Sequence, residues 1–93
     1  MVVGVLEFEV VIRESQSLKD KRRAVKGLKD RLRHRFPVSI AEVDYLEHWQ
    51  RSGLGAAIVS NDAHYATEVL SKVVDFVRNS VTVELVDYSI ETF

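Results

Sequence analysis

Six basic residues, Lys19, Arg22, Arg23, Lys26, Lys29 and Arg33, recur at intervals that suit one side of a helix. At about 100° per residue they project into an arc of about 120°. Asp30 is the one acid inside that arc. Like charges three or four positions apart, such as Arg22 with Lys26 or Lys29 with Arg33, repel one another. A helix face that merely solvates more often interleaves Glu with its Lys and Arg. The chemistry such a row performs is electrostatic: it steers and holds a nucleic-acid phosphate backbone, positioning the strand without reading its bases. The plainer alternative is a solvated face partly neutralised by acids from neighbouring elements.

Charge counted by position supports the row. Residues 13–35 hold ten basic and three acidic side chains, a net +7, and the rest hold three basic and eleven acidic, a net −8. The formal charge of −1 is therefore a near-cancellation. It does not argue against a nucleic-acid partner.

Other chemistry finds little support. There is no cysteine, which removes disulfides, thiol catalysis and Cys-based zinc sites. His34, His48 and His64 share no metal-binding spacing, and no serine stands in a G-x-S-x-G context. No catalytic residue, metal or cofactor is expected, and the reading is non-enzymatic.

The elements that position these residues follow from periodicity. Residues 3–13 alternate, with Leu6, Phe8, Val10 and Ile12 on one face and Glu7 and Glu9 on the other, as in a half-buried strand. Ser17 with Asp20 resembles a helix start. Leu18, Val25, Leu28, Leu32 and Phe36 then share an arc of about 80°, until Pro37 stops the helix. Residues 38–46 and Gly53–Val59 read as strands. Ser60-Asn61-Asp62 supplies a second N-cap cluster before the stripe Ala66, Val69, Leu70, Val73 and Val77, and residues 81–91 close with a strand. The order is βαββαβ, an α+β domain spanning 1–93, with a four-stranded antiparallel sheet and both helices on one face. At 93 residues, 46% apolar and 29% charged, the chain has enough apolar surface for one core. The start, MVVGVLEFEV, lacks the basic region of a signal peptide, and no apolar run reaches the ~20 residues of a membrane span.

This architecture leaves one sheet face outside. Glu7, Glu9, Asp87 and Glu91, with Glu42 and Asp44, are expected there, among Val3, Val5, Val11, Val83 and Leu85. The acids would repel RNA, and no strand carries the paired aromatics with which RNA-recognition sheets stack bases. An apolar patch among acids suits a protein partner or a homodimer, although isolated valines are also common on strands. Trp49 beside Arg51 is either an exposed partner-binding anchor or a ring folded over the sheet edge. Lys21 projects into the apolar arc, where a structural ion pair with an acid is expected. Gly27 lies on the helix's outer side, where Ala would be the better helix former. Membrane-surface docking of the basic helix is not expected, because its apolar side belongs to the core.

Small acylphosphate hydrolases share this element order and use an Arg in the first strand–helix loop with an Asn on the second strand. Arg13 lies near the first position. However, residues 38–46 contain no Asn, and Glu14-Ser15-Gln16-Ser17 has no glycine to shape a phosphate-binding loop.

Four segments occurring in order, Ser17-Leu-Lys-Asp-Lys-Arg-Arg23, Val38-Ser-Ile-Ala-Glu-Val-Asp44, Trp49-Gln-Arg51 and Val59-Ser-Asn-Asp62, resemble the YlxP-like family of bacterial proteins, a domain of unknown function (DUF503). The resemblance covers nearly the whole chain. It implies a small cytoplasmic ferredoxin-like domain. Genes of the family often neighbour those for transcription and translation factors, which implies an RNA-linked or ribosome-linked role. No catalytic residue is carried over. The expected function is RNA or ribosomal-subunit binding through the first helix, with homodimerisation through the outer sheet as the alternative.

Overall fold

Strand alternation and helical periodicity resolve into six elements: β1 (Val2–Val11), α1 (Leu18–Arg35), β2 (Ser39–Asp44), β3 (Arg51–Ser60), α2 (Ala63–Arg78) and β4 (Glu84–Thr92). A computed structural model describes residues 1–93. The helix starts are fixed by side chains that accept from otherwise unpaired backbone N–H groups. Ser17 Oγ accepts from Asp20 N at 3.0 Å. Asp62 Oδ1 accepts from His64 N at 2.9 Å and Tyr65 N at 3.4 Å. At the far end of α1, Phe36 turns to extended backbone immediately before Pro37.

The strands form one antiparallel sheet in the order β2-β3-β1-β4, so the first and third strands are central. Leu6, Phe8 and Val10 from β1 meet Leu54, Ala56 and Ile58 from β3 on the covered face. Val25, Leu28 and Leu32 of α1 and Ala66, Leu70, Val73 and Val77 of α2 complete the same core. Gly4 sets how closely α2 approaches, because a Cβ there would lie 3.0 Å from Leu70 Cδ1 and 3.1 Å from Ile58 Cγ2. The expected α+β arrangement is the observed one.

Two bulges alter which side chains face the core. On β4, Leu85 pairs with Val10 and Asp87 with Glu9, leaving Val86 as the extra residue. An extra residue reverses the alternation. Val83 is consequently buried in the core and Leu85 packs against it, so the expectation that both lie on the outer face is corrected. Val86 is exposed in their stead. On β2, Glu42 pairs with Leu54 and Asp44 with Gly53, leaving Val43 over. Before that bulge Glu42 shares the covered face with buried Ile40, not the outer face expected from Ala41 and Val43. Gly53 is needed opposite this bulge, since a Cβ there would sit 2.7 Å from Asp44 Cβ.

Candidate nucleic-acid interface

The basic row depends on how α1 is seated. Its apolar stripe is buried, and Lys21 anchors its first turns inside the stripe with a side chain 0% exposed. The ammonium donates to Glu42 Oε2 at 2.6 Å, to Tyr45 O at 3.0 Å and to Leu46 O at 3.2 Å. Three donors thus have three acceptors, which is what a buried lysine requires. Glu42 also accepts from Ser52 Oγ at 2.7 Å. The expected ion pair of Lys21 is present. Its partner was hidden from the sequence because Ile40, not Ala41 and Val43, marks the covered face of β2, and Glu42 alternates with Ile40.

The same anchor supports a strained corner. Tyr45 has φ 57°, the left-handed region that a bulky residue rarely adopts. Its N–H bonds Asp44 Oδ1 at 2.8 Å, its carbonyl is held by Lys21, and Arg51 Cζ sits 4.0 Å from its ring centroid. Arg51 in turn donates to Glu9 Oε2 from Nε at 3.0 Å and Nη2 at 2.7 Å. That hydrogen bond, reinforced by the Glu9 charge against some desolvation, raises the Arg51 pKa above its ordinary value. Arg51 is therefore engaged on the outer sheet face, whereas Trp49 next to it is 58% exposed.

With α1 held this way, Lys19, Arg22, Arg23, Lys26 and Arg33 are exposed and Lys29 is half-buried. Lys26 pairs with Asp30 at 2.7 Å. Arg33 lies 3.6 Å from the same carboxylate and donates to Ile40 O of the edge strand at 2.8 Å. The Lys26 hydrogen bond, with the charges of Lys26, Arg33 and Lys29, holds Asp30 below its ordinary 3.8 despite some desolvation. Lys19, Arg22, Arg23 and Lys29 pair with no carboxylate. No acid from another element forms an ion pair with the row. The acids gather elsewhere: Glu7, Glu9, Asp87 and Glu91 lie on the opposite side of the sheet, in register with Gly55, Gly53 and Val5.

Two further cations of α1 lie outside the expected row. Arg31 and Arg35 stand four positions apart on the flank of α1 that meets α2, and Arg35 Cζ lies 5.4 Å from the Phe76 ring centroid. Their helical spacing was a usable signal, but the surface opposite them comes from residues about forty positions away in sequence.

The remaining candidates stay apart. Arg13 is bound to Glu84, with Nε at 2.7 Å and Nη2 at 2.6 Å from Oε2, so a carboxylate occupies its guanidinium. His64 sits 4.0 Å from Glu68 on α2, while His48 packs on Tyr45 with centroids 5.3 Å apart. On the outer face, Val3 and Val5 are half-buried and Val43 and Val59 exposed, an apolar strip without a covering layer.

Comparison with known proteins bears on the whole chain. The family model described as "Protein of unknown function (DUF503)" matches residues 3–90. The chain is 34% identical over 83 residues to "Uncharacterized protein YlxP" of Bacillus subtilis (strain 168), covering 89% of this chain and 90% of that one. Among solved structures it is similar to "De novo designed protein Foldit4", with a TM-score of 0.54 and 12% identity over 100% of this chain and 97% of the other. At that identity the likeness concerns fold alone. No helix is long and apolar enough to cross a membrane.

Proposed function

The chain belongs to the DUF503, YlxP-like family, and from that premise we propose that it is a non-enzymatic, cytoplasmic protein that binds RNA, as free transcript or within a ribosomal subunit, through the phosphate backbone. One observation carries the reading: four cations on one helix face, Lys19, Arg22, Arg23 and Lys29, have no carboxylate partner. Together with Lys26 and Arg33 they line a helix about 27 Å long, by the rise of about 1.5 Å per residue, enough to follow several phosphates of one strand. Counterion release from those phosphates drives association and makes it salt-sensitive. The test is co-sedimentation with ribosomal subunits and binding of structured RNA by Arg23→Glu/Lys26→Glu. Uniform weakening across RNA sequences is expected, and unchanged binding would sink the proposal.

A second reading rests on the uncovered strip Val3, Val5, Val43 and Val59. Packed against the same strip of a second copy, these side chains would be removed from water, with Glu91 at the edge strand beside them. Trp49, exposed at the end of the sheet, would serve as a partner anchor. Light scattering at high protein concentration should then report a dimer, and a persistent monomer would end this reading.

A further inference from the structure

At its C-terminal end α1 meets α2 and the connection to β4 across an open groove of about 800 Å³. That size lies within the ~300–1,000 Å³ of small-ligand sites. Its walls combine two chemistries. Phe36 and Phe76 meet edge to face, with ring centroids 6.0 Å apart at 83°. Above them stand Arg31 and Arg35, neither of which pairs with a carboxylate. Arg31 Nη2 reaches Thr82 Oγ1 at 3.5 Å, and Thr82 Oγ1 lies 3.2 Å from Ser80 Oγ, so hydroxyls line the wall facing the guanidinium. Lys72 adds a cation already paired with Glu68 at 3.3 Å. The one acid of the groove, Asp75, is paired with Arg78 at 3.4 Å.

We infer that this groove holds one unpaired nucleotide of an RNA strand, its phosphate on Arg31 and Arg35 and its base against the Phe36–Phe76 pair. The inference rests on the reading of α1 as a phosphate-binding face, and it names the kind of RNA: single-stranded or with a splayed base. Planar guanidinium forks match phosphate oxygens, and both aromatic rings and guanidinium planes accept stacked bases. Arg35 Cζ already lies over the Phe76 ring, so cation and aromatic stand together at the groove. A fully paired duplex keeps its bases inside and leaves the rings unused. Arg33 of the basic row faces the edge strand β2 and Arg31 and Arg35 face α2, so a strand leaving the row reaches the groove by crossing the exposed outer side of α1. The carboxylates of an acidic peptide would satisfy the arginines but make no use of the paired rings.

The test is fluorescence anisotropy with a labelled single-stranded RNA and a labelled blunt RNA duplex, on wild type, Arg31→Gln/Arg35→Gln, Phe76→Leu and Arg22→Gln/Arg23→Gln. The arginine variant leaves the core intact, and thermal unfolding checks Phe76→Leu. Wild type is expected to prefer the single strand by about tenfold. Both groove variants should remove that preference and leave duplex binding within about threefold, whereas Arg22→Gln/Arg23→Gln should weaken both probes. Absence of a single-strand preference, or groove variants that affect both probes equally, would overturn the groove assignment while leaving the backbone reading intact. Loss in the groove variants with none in Arg22→Gln/Arg23→Gln would overturn the backbone reading instead. Displacement of the single strand by a glutamate-rich peptide at comparable concentration would assign the groove to a protein partner and overturn the inference.

Discussion

The two helices cover the same sheet face, α1 burying Val25, Leu28 and Leu32 and α2 burying six apolar side chains, and they treat charge in opposite ways. On α2, Glu68 pairs with Lys72 at 3.3 Å and Asp75 with Arg78 at 3.4 Å, so two acids answer two bases within one helix. On α1, nine basic residues face two acids, Asp20 and Asp30, a net +7. Asp30 serves two of those bases and Asp20 accepts from Gln16 N at 3.1 Å at the cap. The contrast teaches that sheet packing does not require a basic helix, since α2 packs without one. Repulsion along α1 costs stability that a few Glu substitutions would restore. Local conflicts of that sort concentrate where a surface serves a partner.

The first way to break the comparison is at the anchor that only α1 has. Lys21→Met should lower unfolding free energy by about 3–5 kcal/mol, because Glu42 would remain buried without its cation. Urea unfolding measures this, and Lys21→Met/Glu42→Leu should recover part of the loss. A loss below about 1 kcal/mol in the single variant would mean that α1 is seated by its apolar stripe alone, as α2 is. Next in size is the contrast in binding. Arg23→Gln should weaken RNA several-fold and lower the salt slope by about one. Arg78→Gln on α2, which removes the same charge from a paired site, should leave binding within about twofold. Equal effects would reduce the distinction to net charge.

A smaller effect tests whether the outer side of α1 is constrained as backbone. Around Gly27 an added Cβ meets only the flexible Arg31 Nη1, at 3.3 Å. Gly27→Ala should therefore stabilise by up to ~1 kcal/mol with RNA affinity unchanged. The smallest effect concerns pH. Asp30 titrates below 3.8 in the folded chain, so its contribution is present above the ordinary carboxylate value and lost as pH falls through the lower folded value. NMR titration should show the Asp30 value rise in Lys26→Gln, while solvent exposure keeps the effect on stability small.

Element order, both N-caps and the buried position of Lys21 were legible because each follows from residues adjacent in sequence or one helical turn apart. What stayed hidden depends on pairing across the chain. The bulges at Val43 and Val86 are defined by the strands opposite them, and each reverses the alternation that the sequence displays. Hence Val83 and Leu85 face opposite to the alternation of their own strand, whereas Glu42 does so because buried Ile40 sets the covered face of β2. Arg51 similarly finds Glu9 forty-two positions away. The groove at Arg31 and Arg35 required the ends of two helices to meet, which no single helical projection contains.

The most direct test of the central claim is the salt dependence of wild-type binding to a blunt RNA duplex, compared with Arg22→Gln/Arg23→Gln. Four unpaired cations predict a slope of log K against log salt of about −4, falling to about −2 in the variant. A slope unchanged by the substitutions, or no binding even at low salt, would contradict the assignment of α1 as a phosphate-binding face.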